Sequence, residues 1–188
     1  MVLPLNDARI TSPYGVVRSD GKIHKGIDFI STSGDRMVKA IQAGVVRGTL
    51  IDPTGFGNYV SIQHVDGTRA LYCHLEEFRC RAGDNVKAGD VIGIEGETGN
   101  TTGVHLHLEL RESDYTPNKH INVADYLGIE NKKGDVVMIE KELTREQKIE
   151  IVKNKVGYDD NTCKYMFNFY KYGDEALKKL VKALQENE

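Results

Sequence analysis

The stretch Thr102-Gly103-Val104-His105-Leu106-His107-Leu108-Glu109-Leu110 alternates polar and apolar residues from His105 onward. That period belongs to a β-strand, in which residues two apart share a face. His105, His107 and Glu109 therefore line one face, and Leu106, Leu108 and Leu110 line the other. The leucines predict a side turned to the core. The two imidazoles would stand roughly 7 Å apart along the strand, and such a pair is a common beginning of a metal site. Two further segments, His24-Lys25-Gly26-Ile27-Asp28 and Tyr72-Cys73-His74-Leu75, offer partners.

The chain has 188 residues, 39% hydrophobic and 28% charged. That is enough for one core and a small appendage, and ordinary for a globular protein. The net charge of −3 gives no electrostatic case for nucleic acid or an anionic membrane as partner. No apolar run approaches the roughly 20 residues that span a bilayer. The first residues, Met1 to Asp7, lack a basic start and an apolar stretch, so no signal peptide is expected. The chain would stay in the cytoplasm, leave by a route needing no signal, or stand here without its leader. Cys73, Cys80 and Cys163 make no metal or disulfide pattern; free thiols are expected, with a Cys73–Cys80 bridge as the alternative.

Along the chain, residues 1–20 read as an irregular lead-in with turn signals at Pro4, Ser12-Pro13 and Tyr14-Gly15. The segment Ile23 to Ile30 is strand-like. Strands are expected at 37–40, 44–51, 58–63 and 68–75, the last two joined by a turn at Asp66-Gly67. Period-two alternation puts Thr68, Ala70, Tyr72 and His74 on one face, so His74 ends a strand just before a loop. Residues 83–94 resemble a compact β-turn-β corner; a carrier domain modified on Lys87 would use a similar one, but its Met-Lys setting is missing. The loop 98–103 could wall a groove or simply connect. After Leu110 the pattern becomes polar, with a short helix at Asn122–Leu127 closed by Gly128. A linker is expected over 129–143. Thr144 to Gln147 form a capping box, opening a helical unit over 144–188.

His24 and Asp28 lie four residues apart and share a face in an extended segment, where Gly26 would let the chain bend. With one of the paired histidines they would give zinc three N and O ligands and leave a position open, as a catalytic rather than a structural site requires. The remaining histidines would then serve proton transfer or oxyanion stabilisation.

In order, His-x-x-x-Asp, Tyr-x-His-Leu and Thr-Gly-x-His-Leu-His-x-Glu resemble the motifs of lysostaphin-type (LytM-like) zinc metalloendopeptidases of bacterial peptidoglycan. Gly57-Asn58-Tyr59-Val60 and Gly89-Asp90-Val91-Ile92-Gly93 agree. The resemblance covers about residues 10–128. It implies a mainly β, antiparallel sheet or sandwich catalytic domain over 1–128, like the duplicated hybrid motif, beside the C-terminal helical unit. It further implies one Zn2+ per chain on His24, Asp28 and His107, with His74 and His105 catalytic, either of them being the base or the oxyanion stabiliser. Glu109 either orients a ligand imidazole or is a plain sheet-edge carboxylate. The implied partner is a peptidoglycan peptide, met on the cell-wall side by a phage lysin (holin-released or virion-associated) or a leader-trimmed bacterial hydrolase. The competing function is a silent zinc-binding activator or wall-binding module. Residues 144–188 would bind wall, a virion component or a second copy. Ile23 and Val104 stand where Arg and Pro are common, which touches substrate choice rather than metal binding.

Overall fold

The computed structural model describes residues 1–19, 21–113 and 118–138, with Ile149 alone beyond them. Apart from Ile149, these fall in a compact unit spanning Met1–Ile139. The helices expected over 144–188, and Cys163, lie outside the described residues.

Antiparallel pairing organises this unit. In chain order the strands are β1 (Ala8–Ser12), β2 (Gly26–Ser31), β3 (Met37–Lys39), β4 (Gly44–Asp52), β5 (Gly57–His64), β6 (Arg69–Leu75), β7 (Glu77–Phe78), β8 (Asn85–Val86), β9 (Val91–Ile94), β10 (Leu106–Arg111) and β11 (His120–Ile121). Helix α1 (Val123–Leu127) and strand β12 (Gly134–Asp135) follow. The large sheet runs β12-β1-β2-β10-β6-β5-β4-β8, with β11 also pairing β10; a smaller sheet runs β3-β9-β7. The fold is mainly β and antiparallel, as expected.

The leucine face of β10 is the middle of the core. Leu106, Leu108 and Leu110 are wholly buried, each contributing on the order of 1.5–3 kcal/mol by leaving water. They meet Phe29 and Ile27 on β2 and Tyr72 and Ala70 on β6. Val38 and Ile92 of the small sheet join the same cluster. Asn122 caps α1 through its side chain, Gly128 ends it in the left-handed region, and Val123, Ala124 and Leu127 close the cluster.

Four short strands depart from the sequence expectation, among them β7, which pairs with β9. β1 lies in the supposed lead-in, where Ala8 and Ile10 are too few to carry a period; Ile10 is buried by pairing with Phe29. β11 and β12 are two residues long. β12 lies within residues 129–143 yet pairs with β1 at Arg9 and Ile10, and Ile129 is buried. Cys73 and Cys80 are free thiols.

His74 departs more consequentially. Alternation would put it with Tyr72 and Ala70 in the core. Instead its backbone takes φ 64°, the one positive φ outside glycine among the described residues. The pairing with β5 shifts register beside it, between Asn58 and Val60. The chain flips its imidazole away from the core face and returns Leu75 to full burial. A side chain held there costs about 1–2 kcal/mol. His74→Gly should therefore be more stable than His74→Ala by about 0.5–1 kcal/mol, the reverse of the usual order in strands, as read by urea denaturation; equal stabilities would contradict the strain.

At the far end of β5, His64 is buried against the Tyr126 ring, with centroids 6.2 Å apart. Its Nδ1 lies 3.0 Å from the Thr68 hydroxyl and its Nε2 is buried without a partner. Burial pulls this imidazole down to about 4 from 6.5, against the opposing pull of Asp66. The folded state then resists a proton that the unfolded state accepts, so stability is full above pH 6.5 and falls as pH drops through about 4. His64→Gln should flatten that fall in urea midpoints measured across the window; an unchanged slope would remove His64 from it.

Candidate metal centre

Antiparallel register sets His107 of β10 directly opposite Asp28 of β2. His24 comes from the turn before β2, where its backbone is tied on both sides: its N–H donates to Val16 O (2.8 Å) and its C=O accepts from Gly15 N–H (2.9 Å). Nδ1 of His24 donates toward Pro13 O at 2.9 Å, with the Ser12 hydroxyl at 3.0 Å. That leaves Nε2 as the lone-pair nitrogen. It lies 3.1 Å from His107 Nδ1 and 3.1 Å from Asp28 Oδ1, and the latter two are 2.6 Å apart. All three residues are buried.

Three acceptors thus converge where only a proton or a cation can satisfy them together. In a tetrahedral zinc site with bonds of about 2.0–2.1 Å, ligand atoms lie about 3.3 Å apart, so the triangle suits the ion and His24, Asp28 and His107 form a group able to hold a metal. Burial would push the Asp28 carboxyl up, but the hydrogen bonds and charges of His107 and His24 outweigh it and hold it far below the carboxylate range. Arg18 binds the other oxygen, Oδ2, at 2.9 Å, which leaves Oδ1 to the centre.

His107 is backed in turn. Its Nε2 lies 3.4 Å from Glu109 Oε1, and Arg111 donates to Glu109 Oε2 at 2.8 and 3.3 Å. Burial pushes Glu109 up, yet His107 and Arg111 bring it down to about 2. Burial would pull the His107 imidazole down, and Asp28 and Glu109 overcome it to raise it. Gly26 sits across from Glu109. A Cβ there would come within 2.5 Å of Leu108 O and 2.8 Å of His107 Cε1, so the bare backbone makes room for the ligand ring.

His74 and His105 complete the cluster. Their ring centroids are 4.7 Å apart, and His74 is 6.0 Å from His107. His74 Nδ1 meets Thr98 O at 2.8 Å, and His105 Nδ1 meets Gly103 O at 2.8 Å with the Thr101 hydroxyl at 3.1 Å. A carbonyl only accepts, so each Nδ1 carries the proton and each Nε2 keeps its lone pair. His105 Nε2 is 3.8 Å from Asp28 Oδ1. Burial brings His74 down to about 4, with the Thr98 carbonyl opposing, so it is neutral at pH 7.

The loop carrying Thr98 is therefore more than a connector. Thr98 Oγ1 donates to Leu75 O and accepts from Asn58 N–H, both at 2.9 Å. Gly99 lets it approach: a Cβ there would lie 2.3 Å from Gly57 N. Neither this role nor those of Arg18 and Arg111 had a sequence signal, since no spacing marks them. His64 lies outside the cluster, and His120 stands behind Glu109, 3.6 Å from it.

Two pockets adjoin the centre. A groove of about 410 Å³ is lined by Arg18, Lys22, Ile23 and Lys25, by Gly55, Phe56 and Asn100, and by His74, His107 and Glu109. A smaller one of about 210 Å³ is lined by Thr11, Asp28, Ile30 and residues 102–105. No helix among the described residues is long and apolar enough to cross a membrane.

Known proteins similar to this chain bear on the arrangement. The DD-carboxypeptidase/endopeptidase Mpg of Neisseria meningitidis is 40% identical over 114 residues, which is 57% of this chain and 25% of that protein. The chain thus spans about a quarter of the length of that relative. The catalytic domain of the antimicrobial peptidase lysostaphin from Staphylococcus simulans superposes with a TM-score of 0.54 at 32% identity, covering 62% of this chain and 86% of that one. The catalytic domain of the prophage-encoded M23 protein EnpA from Enterococcus faecalis, solved as a point mutant, gives 0.55 at 33% identity, covering 62% and 89%. The profile of peptidase family M23 matches residues 22–123, a span that holds all five clustered residues, and the chain belongs to that family.

Proposed function

We propose that the chain is a zinc-dependent endopeptidase that hydrolyses peptide bonds in the stems or cross-bridges of bacterial peptidoglycan, acting on the cell-wall side. The observation that carries this reading is the convergence of four buried side chains and the half-buried His105, with divided nitrogen chemistry. His24 Nε2, Asp28 Oδ1 and His107 Nδ1 meet within hydrogen-bond distance of one another. Beside them, His74 and His105 present lone pairs at Nε2 because their Nδ1 protons are held by backbone carbonyls.

His24, Asp28 and His107 would hold the ion. When bound, zinc supplies Lewis acidity toward a carbonyl oxygen and a water. The chain's own residues do the rest. His74 or His105 takes the water's proton at Nε2, and the imidazolium so formed steadies the developing oxyanion before the proton passes to the leaving amine. Both imidazoles are oriented before substrate arrives, since moving either would break its bond to Thr98 O or Gly103 O. Glu109, fixed by Arg111, sets the tautomer of His107 and increases the basicity of its Nδ1. Residues 144–188 would serve as an appended unit that binds wall, a virion component or a second copy.

The ligand and catalytic roles separate in two variants. His107→Ala should purify without stoichiometric zinc, whereas His105→Ala should keep zinc and lose turnover of purified wall by about 100- to 10,000-fold. Metal analysis and muropeptide release read both, with chelator as control; wall cleavage unchanged in His74→Ala and His105→Ala would remove both from catalysis, and a parent chain that binds zinc without releasing muropeptides would be only a zinc-binding module. Glu109→Ala should weaken zinc by about 10- to 100-fold in competition with a chromophoric chelator. Affinity equal to the parent chain would reduce Glu109 to a sheet carboxylate.

A further inference from the structure

The polar face of β10 does not end at the centre. His107, Glu109 and Arg111 alternate along that strand and share the face. Strand β11 pairs with β10 at two positions, Leu110 with Ile121 and Arg111 with His120. Residues directly opposite in an antiparallel pair lie on the same face, so His120 joins the row. Its side chain is 9% exposed, and its Nδ1 lies 3.6 Å from Glu109 Oε2. Both ring nitrogens are buried without a hydrogen-bond partner among the described residues. Such orphans are rare and destabilising. A cation bridging His120 and Glu109 does not account for them, because Arg111 donates to the same Oε2 at 2.8 Å and Lys25 adds a second positive charge nearby.

A neutral donor fits the place. Burial lowers the His120 imidazole from its ordinary range against the pull of Glu109, so at pH 7 the ring is neutral and carries one N–H. A carboxylate only accepts, which favours the tautomer with that hydrogen on Nδ1. At 3.6 Å the pair is just beyond hydrogen-bond length, so the N–H acts as a dipole aimed at Oε2. The two oxygens of Glu109 are thereby divided. Oε2 faces Arg111 and His120, and Oε1 is left to His107 Nε2 at 3.4 Å. We infer that His120 is a positioning residue of the metal centre: it holds the Glu109 carboxylate by Oε2 so that Oε1 stays on His107, and so strengthens His107 as a ligand. The inference rests on the metal-ligand part of the reading above and not on hydrolysis. An apolar residue at 120 would suit the burial better, so the imidazole trades stability for ligand geometry.

The test measures zinc affinity of the full chain by competition with a chromophoric chelator, in a cycle of Glu109→Ala, His120→Leu and the double variant. His120→Leu alone should weaken zinc by about three- to tenfold, less than Glu109→Ala because it acts one contact further out. In the Glu109→Ala background the same change should alter affinity by less than about twofold. His120→Asn, whose amide places an N–H where Nδ1 stands, should recover most of the loss. Without metal, His120→Leu should melt no lower than the parent chain, since two unpartnered nitrogens are gone; a residue that merely supported the strand would lower the midpoint. Parental zinc affinity in His120→Leu, or an equal loss with and without Glu109, overturns the inference. So does a lowered midpoint whose zinc loss His120→Asn fails to restore. Muropeptide release judges the peptidase reading separately: a chain that binds zinc and leaves wall intact would end that reading, and the affinities would still decide the role of His120.

Discussion

The antiparallel pairing of β2 with β10 is the constraint on which the rest depends. It aligns Leu106 with Phe29 and Leu108 with Ile27 on one face, and His107 with Asp28 and Glu109 with Gly26 in the same ladder. Because side chains alternate with period two, a slip of one residue would carry the leucines out of the core and the imidazole into it. Core burial and ligand geometry are therefore one constraint. The leucines hold the register with several kcal/mol of apolar burial, which no single polar contact in the centre could match.

That arrangement gathers groups that would otherwise repel or go unsatisfied. Two imidazole lone pairs and a carboxylate oxygen face each other in a buried space, which is unfavourable unless something positive lies among them. The chain has surrounded the triangle with compensating partners instead of leaving the whole task to an ion. Arg18 holds the outer oxygen of Asp28, Pro13 O holds the rear nitrogen of His24, and Glu109 with Arg111 holds that of His107. Each outer contact removes one alternative tautomer or carboxylate orientation, so the inner atoms are aimed before any ligand arrives.

How much of this could be read from the sequence follows from what kind of signal each part leaves. β10 was legible because six alternating residues carry a clear period. His24 and Asp28 were legible as a pair, and the antiparallel β class followed from repeated short strands and turn glycines. β1, β7, β11 and β12 were not, because a strand of two to five residues has too few side chains to show alternation. His74 reads as a residue at a strand end, yet alternation puts it on the wrong face, because alternation assumes an extended backbone and φ 64° at that residue breaks it. Arg18, Arg111 and Thr98 left no trace, since they are brought to the centre by tertiary pairing and not by spacing along the chain.

The pair that opens the motif shows why spacing alone underdetermines chemistry. His105 and His107 are two apart and share a side of β10, so the pattern treats them alike. Their backing partners do not. Behind His107 stands a carboxylate, Glu109, which accepts from Nε2–H and turns Nδ1 toward Asp28 and His24. Beside His105 stands a backbone carbonyl, Gly103 O, which accepts from Nδ1–H and leaves the lone pair on Nε2. The two rings thus present opposite nitrogens to the same small volume. An imidazole whose rear nitrogen meets a buried anion becomes the better electron donor and suits a ligand. One held by a neutral carbonyl keeps a milder basicity and suits proton transfer. A His74 positioned by Thr98 O repeats the second arrangement from another strand, at the cost of a strained backbone. Strain of that kind persists where the surroundings over-determine it, and here they do so through the hydrogen bonds of Thr98 to both Leu75 and Asn58.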